Sequence, residues 1–389
     1  MITRLFLQST VLEESRKRMR FIFEEFGRNT YVCFSGGKDS TVILNLALEA
    51  ATELDLLPVK VLFLDQETEW QSVIDYVRTV MHDPRVDPRW LQIPILMNNA
   101  SSIDNPWLRC WHPDEEAKWM RPKEPDSIHK NVYGTLFFKE MFPAFMKYHH
   151  MRQKVCRLTG MRAEESPGRL LTLTQRNVYK GVTWMARQDP KATEHYTASP
   201  IYDWSYTDVW KYIHEGGFPY CDLYNRMYQY GVPTMQMRVS NVHHEAATKT
   251  LYFLQEIEPE TWARLTQRIS GINSIGQLRS SFYAPKELPT AFSTWVEYRD
   301  YLLQYLTDDV GREYFGRRFA SLDSRYEGSP PEVMVGLWRT QIDSILKNDW
   351  EEGFMLKQWT MQHPTPKQHW GRNKQRTEWR KGASDESLV

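Results

Sequence analysis

The sequence predicts an α/β protein, with a doubly wound and mostly parallel sheet followed by an appended α-helical domain. Three observations carry this. Strand-like and helix-like segments alternate over the first hundred residues. The strand-like segments are near-continuous apolar runs, as expected for strands covered on both faces. After about residue 245 the apolar residues recur at spacings of three and four, the helical period. At 389 residues, the chain exceeds the roughly 250–300 that one hydrophobic core supports, so a second domain is expected.

The elements follow in order. Residues 11–27 place apolar side chains at helical spacing and stop at Gly27, predicting an amphipathic helix. TYVCF (30–34) predicts a short buried strand. SGGKDS comes next, and TVILNLALEAATEL then carries a strong helical pattern. VKVLFLD (59–65) is too apolar for a half-exposed strand and predicts a second buried one. ETEWQSVIDYVRTVM predicts a second helix, and LQIPILM (91–97) a third strand whose Pro94 points to an edge or bulge. Such alternation implies right-handed crossovers and helices on both faces of the sheet.

Residues 98–134, rich in Pro, Trp, Asn and Asp, read as a long irregular insertion, a type of segment that is usually functional or unstructured. TLFFKEMFPAFMKYHH (135–150) predicts a helix and VCRLTGM (155–161) a fourth strand. A polar stretch runs to Ser199, and PIYDW (200–204) reads as extended. Ser205 reads as the N-cap of YTDVWKYIHEG, with Asp208 three residues on. EAATKTLYFLQEI, PETWARLTQRIS, TAFSTWVEYRDYLLQYL and PEVMVGLWRTQIDSILK all read as helices. The expected division is an α/β domain over 1–240, a helical domain over 241–365 and a basic polar tail over 366–389.

Bulk composition excludes little. Lys+Arg and Asp+Glu are both 49, so any nucleic acid or membrane partner must be met by a local patch. The four cysteines, Cys33, Cys110, Cys156 and Cys221, form no CxxC, which fits a reducing cytoplasm better than a disulfide framework. MITRLFLQST carries no long apolar signal region. No apolar run approaches the ~18 residues of a membrane span.

The string from Ser35 to Ser40 is the most informative feature. Gly36 and Gly37 after a buried strand allow a sharp turn and a close backbone approach. The helix that follows offers unpaired N–H groups and the positive end of its dipole, which together form an anion site. Ser35 and Ser40 add hydroxyls, and Lys38 adds a point charge. Asp39 is the odd member, since a carboxylate repels phosphate; it makes sense as a Mg²⁺ contact or as an orienter of the loop. The plainer alternative is a glycine-rich turn that merely caps a helix.

FSGGKDS resembles the PP-loop of the ATP pyrophosphatase superfamily, whose fold is the adenine nucleotide alpha hydrolase-like sheet. LFLDQETEW (62–70) resembles the segment in which that superfamily carries an aspartate near the adenosine. TGMRAEESPGR (159–169) and SPIYDWSYTDVWKYI (199–213) resemble segments of its PAPS reductase and sulfate adenylyltransferase branch. LYNRMYQYGVP (223–233) and RLTQRISGINS (264–274) resemble a PAPS-reductase-like subgroup with a C-terminal domain of unknown function. That subgroup includes immunoglobulin-binding regulator A, which is encoded beside a ParB-like protein.

The resemblance implies that Ser35, Gly36, Gly37, Lys38, Asp39 and Ser40 hold phosphate, with Asp65 near the ribose or adenine. It also implies that Gly160, Arg162 and Arg169 face the nucleotide phosphates or a sulfate-like group. A guanidinium suits that task because its planar fork matches a tetrahedral oxyanion. Lys38, Asp39 and Arg162 would be the catalytic set, with ATP or a related adenylate and Mg²⁺ as cofactors. Glu164 and Glu165 could orient Arg162 or be solvated charges. Trp204 and Trp210 fit core positions better than stacking positions.

The chain departs from the reductase pattern. No cysteine follows Cys221, so the family's C-terminal nucleophile has no counterpart. No paired cysteines are present for an iron–sulfur cluster, and none is expected. Cys110, beside Arg109 and near His112, is a possible residual thiol, with a half-buried structural cysteine as the plainer reading. The pairs His149-His150 and His243-His244 lack zinc-site spacing. The tail with Trp370 and Trp379 among basic residues could contact nucleic acid or simply be solvated.

Three functions are consistent with these features. One is an enzyme that cleaves ATP between the α and β phosphates and adenylates an acceptor. Another is PAPS reduction by a thiol. The third is a non-catalytic nucleotide sensor, acting with a ParB-like partner or DNA in regulation or phage defence.

Overall fold

The structure is a computed structural model and describes residues 8–99, 107–173, 178–188, 194–239, 251–269, 272, 287–346, 349 and 353–364. The His243-His244 pair and the basic tail lie outside the described residues, so the readings attached to them rest on sequence alone.

Helix α1 (Val11–Phe26) opens on a capping box: the Thr10 hydroxyl accepts from the Glu13 amide, and the Glu13 carboxylate accepts from the Thr10 amide. It buries Met19, Ile22, Phe23 and Phe26. Then come β1 (Thr30–Cys33), α2 (Lys38–Glu53), β2 (Val59–Leu64), α3 (Gln71–Met81) and β3 (Val86–Leu91). Helix α2 packs against both α1 and α6 (Tyr206–Glu215) as well as the sheet. This explains why it is buried nearly all round, from Val42 to Ala51.

β4 (Ile95–Asn98) and β5 (Trp107–Cys110) form a separate two-stranded sheet. Between β5 and α5 (Pro167–Leu173) lie α4 (Phe138–His150) and β6 (Val155–Leu158). Next are β7 (Val178–Tyr179), β8 (Val182–Arg187) and β9 (His195–Ala198), followed by α6 and α7 (Leu223–Gln229). The remaining helices are α8 (Leu251–Ile257), α9 (Pro259–Arg268), α10 (Trp295–Tyr305), α11 (Asp309–Tyr326), α12 (Pro331–Leu346) and α13 (Phe354–Gln362).

The main sheet has the order β3-β2-β1-β6-β9-β8-β7. β3, β2, β1, β6 and β9 run parallel, whereas β8 is antiparallel to both β9 and β7. From β1 the chain first winds outward through β2 to β3, then returns to the other side of β1 to lay down β6 and β9. The strand order therefore reverses between β1 and β6. In open α/β sheets that reversal leaves a crevice at the carboxyl ends of the strands, which is where ligands bind.

Three strand assignments differ from the sequence reading. The third strand of the sheet is Val86–Leu91, not 91–97. Pro94 cannot donate to a ladder, and the chain breaks there before resuming as β4 in the smaller sheet. Pro88 is tolerated inside β3 because β3 is an edge strand. PIYDW (200–204) is a turn, and the strand lies just before it, at His195–Ala198. The polar stretch contains the β7–β8 hairpin, whose turn is made by Lys180 at φ 48° and Gly181 at φ 79°.

The chain divides into two compact units. One comprises Met1–Met97, Arg109–Val242 and Lys249–Arg268; the other comprises Asn98–Leu108, His243–Thr248 and Ile269–Val389. The core of the second is helical, built on Leu302, Phe315, Phe319, Leu337, Ile342 and Leu356. Arg299 is buried there and donates to Asp323 at 2.6 Å and Gln341 at 2.7 Å. Among the described residues no helix is long and apolar enough to cross a membrane.

In the first unit, a buried ionic network fixes the loop after β2. Asp65 is fully buried and accepts from Arg121 at 2.6 Å, from the Trp90 indole at 2.9 Å and from Gln92 at 3.0 Å. Glu67, also fully buried, accepts from Arg268 at 2.5 Å and from the Trp111 amide at 2.8 Å. Glu67 has φ 65°, a left-handed conformation that a side chain-bearing residue keeps only where its surroundings enforce it. Removing one partner from a buried pair strands the other charge. Arg121→Ala should therefore lower the unfolding free energy by about 3–5 kcal/mol, measured by urea denaturation.

Candidate functional site

The β1–α2 turn is built as the glycines require. Gly36 has φ 71°, and a Cβ there would lie 2.8 Å from Val73 Cγ1, so both the backbone and the space exclude a side chain. Phe34 N–H donates to Leu62 O at 2.9 Å and holds the start of the turn to β2. Gly37 is the N-cap of α2, and its carbonyl accepts from the Thr41 amide at 2.9 Å and from the Ser40 hydroxyl at 2.9 Å. The Ser35 amide donates to Ser40 Oγ at 3.3 Å, so the two hydroxyl residues tie the ends of the turn together.

The turn from β6 meets it. A Cβ on Gly160 would fall 2.9 Å from both Asp39 C and Asp39 Cβ, so only glycine lets this backbone pass so close to α2. That approach delivers Arg162, which is 4% exposed, to Asp39. Arg162 Nε donates to Asp39 Oδ1 at 2.7 Å, and Lys38 Nζ donates to Asp39 Oδ2 at 3.0 Å. Arg162 Nη1 also reaches Glu164 at 3.3 Å and the Trp204 carbonyl at 3.4 Å, and Glu165 lies 3.8 Å from Nη2. Glu165 in turn pairs with Arg169, while Glu164 accepts from the Tyr206 amide at 2.8 Å. Both glutamates therefore orient the arginines.

These residues line one cavity of about 710 Å³ at the carboxyl edge of the sheet. Ser35, Gly37, Lys38, Asp39, Ser40, Gly160, Arg162 and Arg169 all face it. Gly36 does not; it packs beneath, against Val73. Phe138 and Phe142 of α4 give the cavity an apolar, aromatic wall, while Arg238 adds a cation. Burial pulls the Lys38 ammonium below its ordinary value, and Asp39 opposes that pull.

Asp65 does not line the cavity; its two oxygens are taken by the network under the loop, and Leu64, Gln66 and Glu69 face the cavity instead. Glu69 is 5% exposed. Burial, and then the nearby Asp65, push its carboxyl up to about 8, so it adds little negative charge to the cavity at neutral pH.

Cys110 is fully buried and its thiol donates to the Gln66 carbonyl at 3.1 Å. Burial, together with Glu67 and Asp65, pushes that thiol well up. Arg109 turns toward Asp114 and Glu115 instead, at 3.6 Å each. This environment disfavours the thiolate that a nucleophile needs. His150 accepts or donates at 2.8 Å to the Tyr31 hydroxyl, and Trp204 is a core residue whose indole donates to Ser15 at 2.8 Å. Asp39 Oδ1 accepts from Arg162 and Oδ2 from Lys38, and among the described residues no three His, Cys, Asp or Glu side chains converge on a metal position.

Glu69, Tyr224 and Arg238 were not singled out from sequence. Glu69 lies inside the quoted DQETEW string and Tyr224 inside LYNRMYQYGVP, so a local signal existed for both. Nothing in the sequence around Arg238 marks it.

A glycine-built anion turn, crossed by a second loop that brings arginines at the switch point of a parallel sheet, defines a nucleotide-site α/β domain of the PP-loop kind. The chain belongs to the phosphoadenosine phosphosulfate reductase domain family, whose model matches residues 29–95 and 96–238. A domain of unknown function, DUF3440, matches residues 231–328. The chain is 26% identical over 371 residues to the uncharacterized protein YbdN of Escherichia coli strain K12, covering 88% of this chain and 89% of that protein.

Solved structures with a similar arrangement include Candida glabrata FMN adenylyltransferase in complex with FMN and an ATP analogue. It has a TM-score of 0.37 and 12% identity, over 62% of this chain and 66% of that one, just under two thirds of its length. The PAPS reductase of Candida auris in a phosphate complex gives a TM-score of 0.33 and 17% identity, over 57% of this chain and 93% of that one.

The Glu69 environment gives a signed expectation. A carboxyl that holds its proton to about 8 when folded, against 4.5 ordinarily, makes folding take up a proton between those values. Its contribution is complete below about pH 4.5 and is lost as pH rises toward 8. In urea titrations, wild-type stability should fall relative to Glu69→Gln between about pH 5 and pH 8; parallel pH profiles would show that Glu69 is not so perturbed.

Proposed function

We propose that this protein binds ATP or a closely related adenylate and cleaves it between the α and β phosphates. An acceptor oxygen attacks the α-phosphorus, the bond to the β-phosphate bridging oxygen breaks, and pyrophosphate leaves. Acceptor-OH and ATP thus give an adenylated acceptor, pyrophosphate and one proton. The observation that carries this reading is the convergence of Lys38, Arg162, Arg169 and Arg238 on one cavity with the start of α2.

The chemistry asked of the protein is positioning and charge neutralisation. The start of α2 presents its dipole to the phosphates. Lys38 and Arg162, each paired with one oxygen of Asp39, are assigned to the phosphate oxygens. The wall formed by Phe138 and Phe142 suits a stacked base. In this reading Asp65 acts at one remove, holding the loop whose neighbours touch the nucleotide. Thiol-dependent sulfonucleotide reduction is less well supported, because Cys110 is buried and lies off the cavity.

The test is a pair of measurements on the full chain: equilibrium binding of ATP, and pyrophosphate release in the presence of candidate acceptors. Lys38→Ala should lower release by about 10²–10³-fold, the usual cost of one preorganised donor to a transition state. Equal release from both proteins ends the catalytic reading. Tight binding of ATP with no release under any acceptor supports instead a nucleotide sensor, of the kind that would act with a ParB-like partner.

A further inference from the structure

The amide that begins α2 is already occupied. Lys38 N–H, one of the donors that a phosphate would be expected to take, donates to the phenol oxygen of Tyr224 at 3.0 Å. Tyr224 comes from α7, nearly two hundred residues further along the chain. It is 3% exposed and lines the same cavity. Its oxygen stands close above the turn, 3.6 Å from where a Cβ on Gly37 would be. The ring is held edge-on by Trp210 at 5.0 Å, and Lys38 Nζ lies 5.9 Å from its face.

A phenol oxygen that accepts from an amide still has its own proton to give. Among the described residues nothing accepts the Tyr224 proton, although the side chain is almost wholly buried. Leaving a buried donor unmade is costly, so an acceptor is wanted on the cavity side. Near the same point above Gly37 stand Val239 Cγ2, which cannot accept, and Ser35 Oγ, which is engaged with Ser40 Oγ at 3.2 Å. The missing acceptor is therefore one that enters the cavity, and the cations around it select an anion. Burial also raises the phenol well above its ordinary value, so the group stays a neutral donor throughout the working range.

We infer that Tyr224 is a phosphate-binding residue, which relays the hydrogen-bonding capacity of the Lys38 amide outward so that its own O–H donates to a non-bridging phosphate oxygen of the bound nucleotide. This rests on the adenylate-binding reading and adds a residue to that site. The relay moves the phosphate outward by the width of a hydroxyl from where a bare helix start would hold it. Binding is then set jointly by the β1–α2 turn and by α7.

The experiment uses inorganic pyrophosphate and a non-hydrolysable ATP analogue as probes, titrated calorimetrically into the full-length wild type and into Tyr224→Phe. Circular dichroism and melting curves check that the variant is folded. Tyr224→Phe keeps the ring and its packing against Trp210 but removes the donor. A hydrogen bond to a charged oxygen then predicts weaker binding of both probes, by about tenfold.

Unchanged affinity overturns the inference. So does tighter binding, which would mean that the hydroxyl plugs the amide and must leave before phosphate enters. Should the variant not fold, wild-type protein with ¹³Cζ-labelled tyrosine gives the second reading: a saturable shift of the Tyr224 ring signal on adding pyrophosphate supports the contact, and its absence overturns it. If the wild type binds neither probe, the adenylate reading itself fails, an outcome distinct from a Tyr224→Phe variant that binds as well as wild type.

Discussion

Two cations share one carboxylate at the centre of the first unit, and the site depends on that sharing. Lys38 and Arg162 would repel each other if left alone at the mouth of the β1–α2 turn. Asp39 sits between them, with one oxygen to each. A carboxylate inside a glycine-rich turn beside two cations is puzzling if every residue there must meet an anion. It is not puzzling as a brace that pairs with both cations, one oxygen to each. Desolvation makes the brace necessary as well as useful: buried charges without partners cost several kcal/mol each, and these cations are almost wholly buried. Gly160 makes the arrangement possible, since any larger residue would push the β6 loop, and Arg162 with it, away from α2.

The same logic operates one layer back. The loop after β2 adopts a left-handed residue at Glu67 and buries two carboxylates in succession. Neither is tolerable without partners, and the partners come from Arg121 in the insertion and Arg268 at the end of α9. Segments far apart in the chain are therefore needed to hold five residues of loop. What reaches the cavity from that loop are Gln66 and Glu69, the latter a carboxyl that burial pushes up to about 8. Asp65 and Glu67 serve as scaffold, paired with arginines, while Glu69 faces the cavity.

The sequence reading located most of the anion turn and the β6 loop because both are contiguous strings whose residue types have local consequences: glycine for a tight turn, hydroxyls and a lysine at a helix start, a guanidinium shortly after a strand. The strands in the polar region before Ser199 were less readable. They are short, and one of them, His195–Ala198, lacks an apolar run because part of its burial comes from neighbours rather than from composition. Pro94 was read as marking an edge or a bulge of one strand, whereas the chain leaves the ladder before it and resumes in the smaller sheet, according to which edge lay within reach. Asp65 shows the limit most clearly. Its place at the end of β2 could be read, but its work could not, because that is decided by Arg121, more than fifty residues away.

What the sequence determined by itself, then, is whatever periodicity and local stereochemistry enforce: alternating strands and helices, a mostly parallel α/β sheet, and a glycine turn at Ser35–Ser40 at the start of a helix. What only the tertiary structure decided is which distant groups close on that turn. Arg162 arrives there because Gly160 lets two backbones touch, Tyr224 because α7 packs with Trp210 over the cavity, and Asp65 is withdrawn because a buried arginine claims it. Chain-local forces act over a few residues and can be read in order. Charge pairing and burial act across space, between residues whose separation in sequence carries no trace of their contact.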